Sequence, residues 1–361
     1  MRKRSGFTIV ELLVVVSIIA LLVGILLPAI GKARDQARLS ISRANLRQLG
    51  QGAASYASEW QDRQVTLVND NIGRYGNTMV AALTGFQQQT GKAHPGVVSG
   101  LGPGGSLWGW WFNNPSSYGE LLNPIAFTGS FAGFGYFRSM NVRPFTSYFN
   151  GRAYDPLFYA PKDRVPLSVM DDCFDQPYEY RGCYDGGDDG AGDGDGNVIW
   201  PSYCWSPAAL FSPDVLAADG FVAPITLNAG HRTPAMSQAR YSDLKTHILE
   251  HHWLQNLQVP CNPNFAPANY EGCEPYYFNH GRESVPMTLF YDGHVEGLGT
   301  LEAQAASSRA ATQSGGMGLW HTGTPFGTDG YFIDLGWDTA ANTSFHILTT
   351  DGITGRDKLG G

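Results

Sequence analysis

Glu11 is the residue whose chemistry most needs a reason. It is the one charged group in the run from Phe7 to Ile30, FTIVELLVVVSIIALLVGILLPAI. Carboxylates inside an apolar span are costly and usually have a function. A carboxylate near the end of such a span sits close to the membrane surface. There an ammonium group from another chain can neutralise it, and a free terminal amine at Phe7 would supply one.

Two further groups have metal-ligand chemistry. His247-Ile248-Leu249-Glu250-His251 fits the H-x-x-E-H pattern of inverted zinc peptidases. The surrounding LKTHILEHHWLQNL, Leu244 to Leu257, reads as a helix, and histidines four apart on a helix share a face as a metal requires. The pattern is short and no third ligand can be picked out, so the competing reading is a structural helix packed on a sheet. Asp185 to Asn197 reads DGGDDGAGDGDGN. Asp189, Asp193, Asp195 and Asn197 offer hard oxygens for calcium, and the glycines let the backbone curl around an ion. The spacing is not that of an EF-hand, and the simpler reading is a solvated acidic loop. No phosphate-binding glycine loop, nucleophile elbow or paired-carboxylate pattern stands out. The sequence gives no argument for an enzyme.

The elements that position Glu11 follow from hydropathy. Phe7 to Ile30 is 24 residues, and roughly 20 are needed to span a hydrocarbon core. Backbone in lipid must bond to itself, so the run is a helix. Its length and its early acid distinguish it from a secretory signal peptide. Leu39, Leu46, Leu49, Ala53, Tyr56 and Trp60 then recur at steps of three, four or seven, which is a helical face. Arg34, Arg38, Arg43 and Arg47 lie largely off it. One long helix from about Phe7 to Glu59 is predicted, bent near Pro28 because proline removes a helical hydrogen bond. The first half belongs in membrane or filament core; the second packs on the rest of the chain.

The words Gly6-Phe7-Thr8-Ile9-Val10-Glu11-Leu12-Leu13-Val14, behind a basic tip of Arg2, Lys3 and Arg4, resemble the processing signal of type IV pilins and type II secretion pseudopilins. The resemblance implies that a prepilin peptidase cuts between Gly6 and Phe7 and N-methylates Phe7. It implies that Glu11 meets the terminal amine of a neighbouring subunit during assembly, and Pro28 falls where the family often has a kinking proline. It also implies an α+β, pilin-like fold: a long N-terminal helix, transmembrane in its first half, packed on an antiparallel, loop-rich β domain. The implied boundaries are a leader at 1–6, an assembly helix at 7–30, its amphipathic continuation at 31–60 and an exported domain at 61–361. The implied partners are the prepilin peptidase, other pilin or pseudopilin subunits, an inner-membrane assembly platform and lipid. The amino terminus is then cytoplasmic and the domain periplasmic or extracellular. Some pseudopilins carry calcium in a loop, which favours the ion at Asp189 to Asn197.

Composition fits an exported body. The net charge is −8, and loss of the tip would leave 21 bases against 32 acids, or −11. An acidic body argues against non-specific nucleic-acid binding. The 45 glycines and 12% aromatics favour a loop-rich β-containing globule. Cys173, Cys183, Cys204, Cys261 and Cys273 all lie beyond the anchor, where disulfides are allowed. The close pairs Cys173/Cys183 and Cys261/Cys273 are candidates, connectivity not being deducible from sequence. No CxxC spacing supports a zinc site.

Leu107 to Tyr159 is crowded with aromatics and reads as irregular β-rich core, with a carbohydrate platform as the functional alternative. Val285 to Leu298 reads as strand, Asp292-Gly293 turn, strand, with positive φ expected at both turn positions. With His280 upstream it resembles the H-x9-DG element of bacterial pilin-like proteins, although eleven residues separate His280 from Asp292 here. Leu301 to Thr312 reads as a short helix, and Phe345 to Leu348 as a last strand before an Asp351-Gly352 turn. Two other classes stay open: an anchored binding protein that never polymerises, and an anchored zinc hydrolase using His247, Glu250 and His251.

Overall fold

The computed structural model describes residues 8–65, 72–77, 79–91, 97–101, 107–110, 123–128, 135–163, 167, 174–175, 201–228, 230–250, 285–326 and 348–360. Helix α1, Ile9–Glu59, is 51 residues long and runs through Pro28 without a break in its assignment. This matches the span expected from hydropathy to within two residues. The two halves bury different amounts. Every residue from Ile9 to Ile30 is exposed. Beyond them Leu39, Ser42, Leu46, Leu49, Gly52, Ala53, Tyr56 and Ala57 are buried. Full burial of a leucine such as Leu46 or Leu49 stabilises by about 1.5–3 kcal/mol. Trp60 departs from the expected face: it lies past the helix end, 57% exposed, and stacks on Tyr56 at 5.7 Å.

Helix α2, Met79–Thr90, follows, and then strands β1, Val97–Leu101, and β2, Leu107–Trp110, which pair antiparallel. The described part of the following aromatic region is less strand-rich than expected. It holds helix α3, Arg143–Thr146, and short 3-10 turns at Tyr136–Arg138 and Pro156–Phe158. Its rings are still core: Phe137, Phe145 and Phe158 are fully buried, and Phe145 meets Trp205 edge-on at 5.0 Å.

Strand β3, Tyr203–Trp205, starts the main sheet, and a small pair, β4 Leu216–Ala217 with β5 Gly220–Phe221, follows it. Strands β6, Thr246–Glu250, β7, Met287–Phe290, and β8, Val295–Gly297, complete an antiparallel sheet of order β3-β6-β7-β8. Helix α1 packs on β6, β7 and β8. Gly50 permits that approach, since a Cβ there would lie 2.7 Å from the Leu289 side chain, and Gly52 makes room for the Phe149 ring just past α3, which a Cβ would meet at 2.2 Å. Helix α4, Thr300–Ser314, ends on Gly315 at φ +69°, a left-handed cap that suits glycine, and confirms the helix read from Leu301.

Two sequence expectations are corrected. Residues 246–250 form a strand, not part of a helix. Pairing with β3 on one side and β7 on the other outweighs the local helical pattern, and Thr246 and Ile248 are β-branched. The β7–β8 hairpin is present, but its connection is three residues, Tyr291 to Gly293, since Phe290 N–H donates to His294 O at 3.0 Å. Gly293 alone takes positive φ, +89°, as in a turn closed by a left-handed residue. Asp292 earns its place differently: its Oδ1 accepts from the His294 backbone at 3.0 Å and lies 2.6 Å from His294 Nδ1. The final turn at Asp351 and Gly352 has φ values of +63° and +57°, and Thr349 bridges Trp320.

Candidate assembly helix and its anchor in the sheet

Glu11 sits in the first turn of α1. Thr8 is the N-cap, and its Oγ1 accepts from Glu11 N–H at 3.3 Å. Glu11 answers with Oε2, which accepts from Thr8 N–H at 2.9 Å and from the Thr8 hydroxyl at 2.8 Å. This reciprocal capping box satisfies backbone donors that a helix start would otherwise leave open. Both Thr8 donors go to one oxygen. Within a single chain Glu11 is thus a helix cap, a role that the sequence reading did not assign. Gly6 and Phe7 lie outside the described residues.

From Ile9 to Ile30 every residue is exposed, the side-chain hydrogen bonds of Glu11 and Ser17 stay within the helix and its cap, and the helix has a mean hydropathy of 3.1 over its most apolar window. An exposed surface of this kind is the wrong one for water and the right one for lipid or for other such helices. The second half is fixed by polar as well as apolar contacts. Ser42 Oγ lies 2.9 Å from Tyr203 Oη and donates to Glu250 Oε1. Glu250 Oε2 accepts from Met287 N–H at 2.8 Å. Burial pushes the Glu250 carboxyl up to about 7, against the pull of the Ser42 and Met287 donors. At the ends of the docked face Lys162 reaches Asp35 at 3.3 Å and Tyr148 donates to Glu59 at 2.6 Å.

The sheet that receives the helix is locked from behind. Lys245 Nζ is fully buried and lies 2.8 Å from Asp357 Oδ2, 2.8 Å from Ser206 Oγ and 2.9 Å from Thr349 Oγ1. Asp357 Oδ2 also accepts from Thr246 N–H at 2.9 Å and from the Thr246 hydroxyl at 2.6 Å. Burial pulls the Lys245 ammonium down and Asp357 opposes that shift. Satisfying both charges this fully is what makes a buried ion pair tolerable. Nothing in the local sequence marks Lys245 and Asp357 as a pair.

The metal readings fare unequally. His247 stacks on Tyr291 at 4.4 Å and meets Trp205 at 5.4 Å, while Glu250 turns to Ser42 and Met287. Residues 246–250 are strand, so His247 does not stand on the helical face that two histidines four apart would need to share. Among the described residues no group of three His, Cys, Asp or Glu side chains could hold a metal. His251, the acidic run with Asp189, Asp193, Asp195 and Asn197, His280, and the cysteines Cys173, Cys183, Cys261 and Cys273 lie outside the described residues. Cys204 is buried in β3.

A family model described as the prokaryotic N-terminal methylation motif matches residues 1–27. No curated protein and no solved structure matches the chain. The chain therefore carries a prepilin-type signal on a long apolar helix, which supports a pilin-like or pseudopilin-like protein. The match covers 27 of 361 residues, so it speaks for the signal and the anchor and leaves the outer domain to be read from its own structure.

Proposed function

We propose that this chain is a structural subunit of a type IV pilus or type II secretion pseudopilus. The peptidase removes residues 1–6 and methylates Phe7. The segment 7–30 holds the subunit in the inner membrane with its amino terminus cytoplasmic. The same segment then packs against other subunits, delivered by an inner-membrane assembly platform. The observation that carries this reading is the exposed apolar half of α1, which begins at an N-capped acid and ends where the docked half begins.

Lipid tails are as apolar as leucine, so leaving the bilayer gains little by itself; close packing and polar pairing must guide assembly. Glu11 serves that end. Its Oε2 is engaged by Thr8, and Oε1, which has no partner among the described residues, is left to meet the Phe7 ammonium of a neighbour. Residues 61–361 form the outward domain and set partner choice.

Mass spectrometry of the mature amino terminus tests the processing step. The expected first residue is an N-methylated Phe7; a chain that keeps Met1, or that starts downstream of Phe7, refutes it. A Glu11→Leu chain should be cut normally and enter filaments poorly, and normal incorporation would remove the pairing role.

A further inference from the structure

The strongest unused feature is a collar of cations just past the apolar span. Lys32, Arg34, Arg38, Arg43 and Arg47 lie on α1; Arg38 is half-buried and the other four are exposed. The two acids of the same stretch are already engaged by the domain, Asp35 by Lys162 and Glu59 by Tyr148. Among the described residues the five cations have no hydrogen-bond or ion-pair partner. Residues 31–59 carry a net charge of +3, while residues 60–361 carry 16 bases and 29 acids, or −13. The chain is therefore two bodies of opposite sign on one rod.

We infer that the collar is a docking surface for the acidic domain of a second copy of this chain. This rests on the filament reading above and names the contact that completes it. Helices packed through their apolar halves lie 8–10 Å apart, about one Debye length at physiological salt. Neighbouring collars then repel one another unless an anionic surface lies against their exposed sides. The acidic domain is the one plentiful anion in the chain, with Asp214, Asp219 and Asp243 exposed on it. Anionic lipid is the weaker fit. Lys32 to Arg47 spans about 22 Å of helix axis, while each headgroup layer is only about 5–8 Å deep. Lipid reaches Lys32 and Arg34 but not Arg43 and Arg47, which have no ion-pair partner among the described residues.

The test uses the full mature chain in mild detergent and compares it with an Arg43→Glu, Arg47→Glu double variant. Self-association is followed by sedimentation from low salt to about 1 M, where the Debye length falls to about 3 Å. The wild type should associate at low salt and lose about tenfold in affinity at high salt; the variant should start about tenfold weaker and respond little to salt. Unchanged thermal unfolding of the variant's domain shows that the fold is intact. A wild type that assembles with no salt dependence, or a variant that assembles like wild type, overturns the collar and leaves the filament reading standing. A wild type that stays monomeric at every salt overturns both. Flotation with phosphatidylglycerol vesicles gives the lipid outcome: a variant that loses vesicle binding but keeps self-association assigns the collar to lipid instead.

Discussion

The two halves of α1 have one backbone and opposite fates. From Ile9 to Ile30 apolar residues occupy every side of the helix and none is buried. From Leu39 to Ala57 the large apolar residues other than Ile41 gather on one side, and that side is buried in the domain. A helix that is apolar all round seeks lipid or its own kind; an amphipathic one seeks a core. Hydropathy thus divides a single helix into a part left exposed for lipid or other helices and a part that belongs to the domain, and Ser42 is among the residues that tie the second part down.

This division can be broken or sharpened in four ways. The largest effect is expected from Asp357→Ala. It leaves the Lys245 ammonium buried without its carboxylate, and breaking such pairs costs about 3–5 kcal/mol. Chemical denaturation of the full chain in detergent should show the domain destabilised while the apolar half stays inserted. Next, Leu46→Ala should cost about 2–5 kcal/mol in the same assay, because Leu46 is fully buried.

The third test concerns Glu250, whose carboxyl is raised from 4.5 to about 7 by burial. A raised folded-state value means that the native state holds the proton more tightly. The stabilisation is complete below about pH 4.5 and is lost as pH climbs toward 7, by up to about 3 kcal/mol. His231 and His247 run the other way: burial lowers them to about 4 and about 3, so they cost stability as pH falls. The informative quantity is therefore the stability of wild type minus that of Glu250→Gln, which should decline between about pH 4.5 and 7. A flat difference would show that the carboxyl does not titrate there. The smallest effect is expected from Leu22→Ala: less than about 0.5 kcal/mol on the domain, because Leu22 is exposed and touches none of it.

Legibility in the sequence followed the range of the interactions. The helix, the hairpin at Val285 and the helix after Gly299 were readable because periodicity and turn chemistry are local. Residues 246–250 read locally as helix because their fate is decided by β3 and β7, the nearer of which lies some forty residues away. The apolar surroundings of Glu11 mark it as special, and its bond to Thr8 is legible as well, since a threonine three residues before a glutamate is itself a capping pattern. Lys245 and Asp357 were beyond reach, since 112 residues separate them and either alone reads as an ordinary surface charge.

The docking of α1 also sets a schedule. Ser42 meets Glu250 across 208 residues of chain, and Gln64 takes a hydrogen bond from Tyr291 across 227. Contacts of such long range form late and slow the search for the native state. In a newly made chain the residues of the rod are thus complete well before the strands that will clasp its outer half have been synthesised, and for that interval the amphipathic stretch stands without the core it will join.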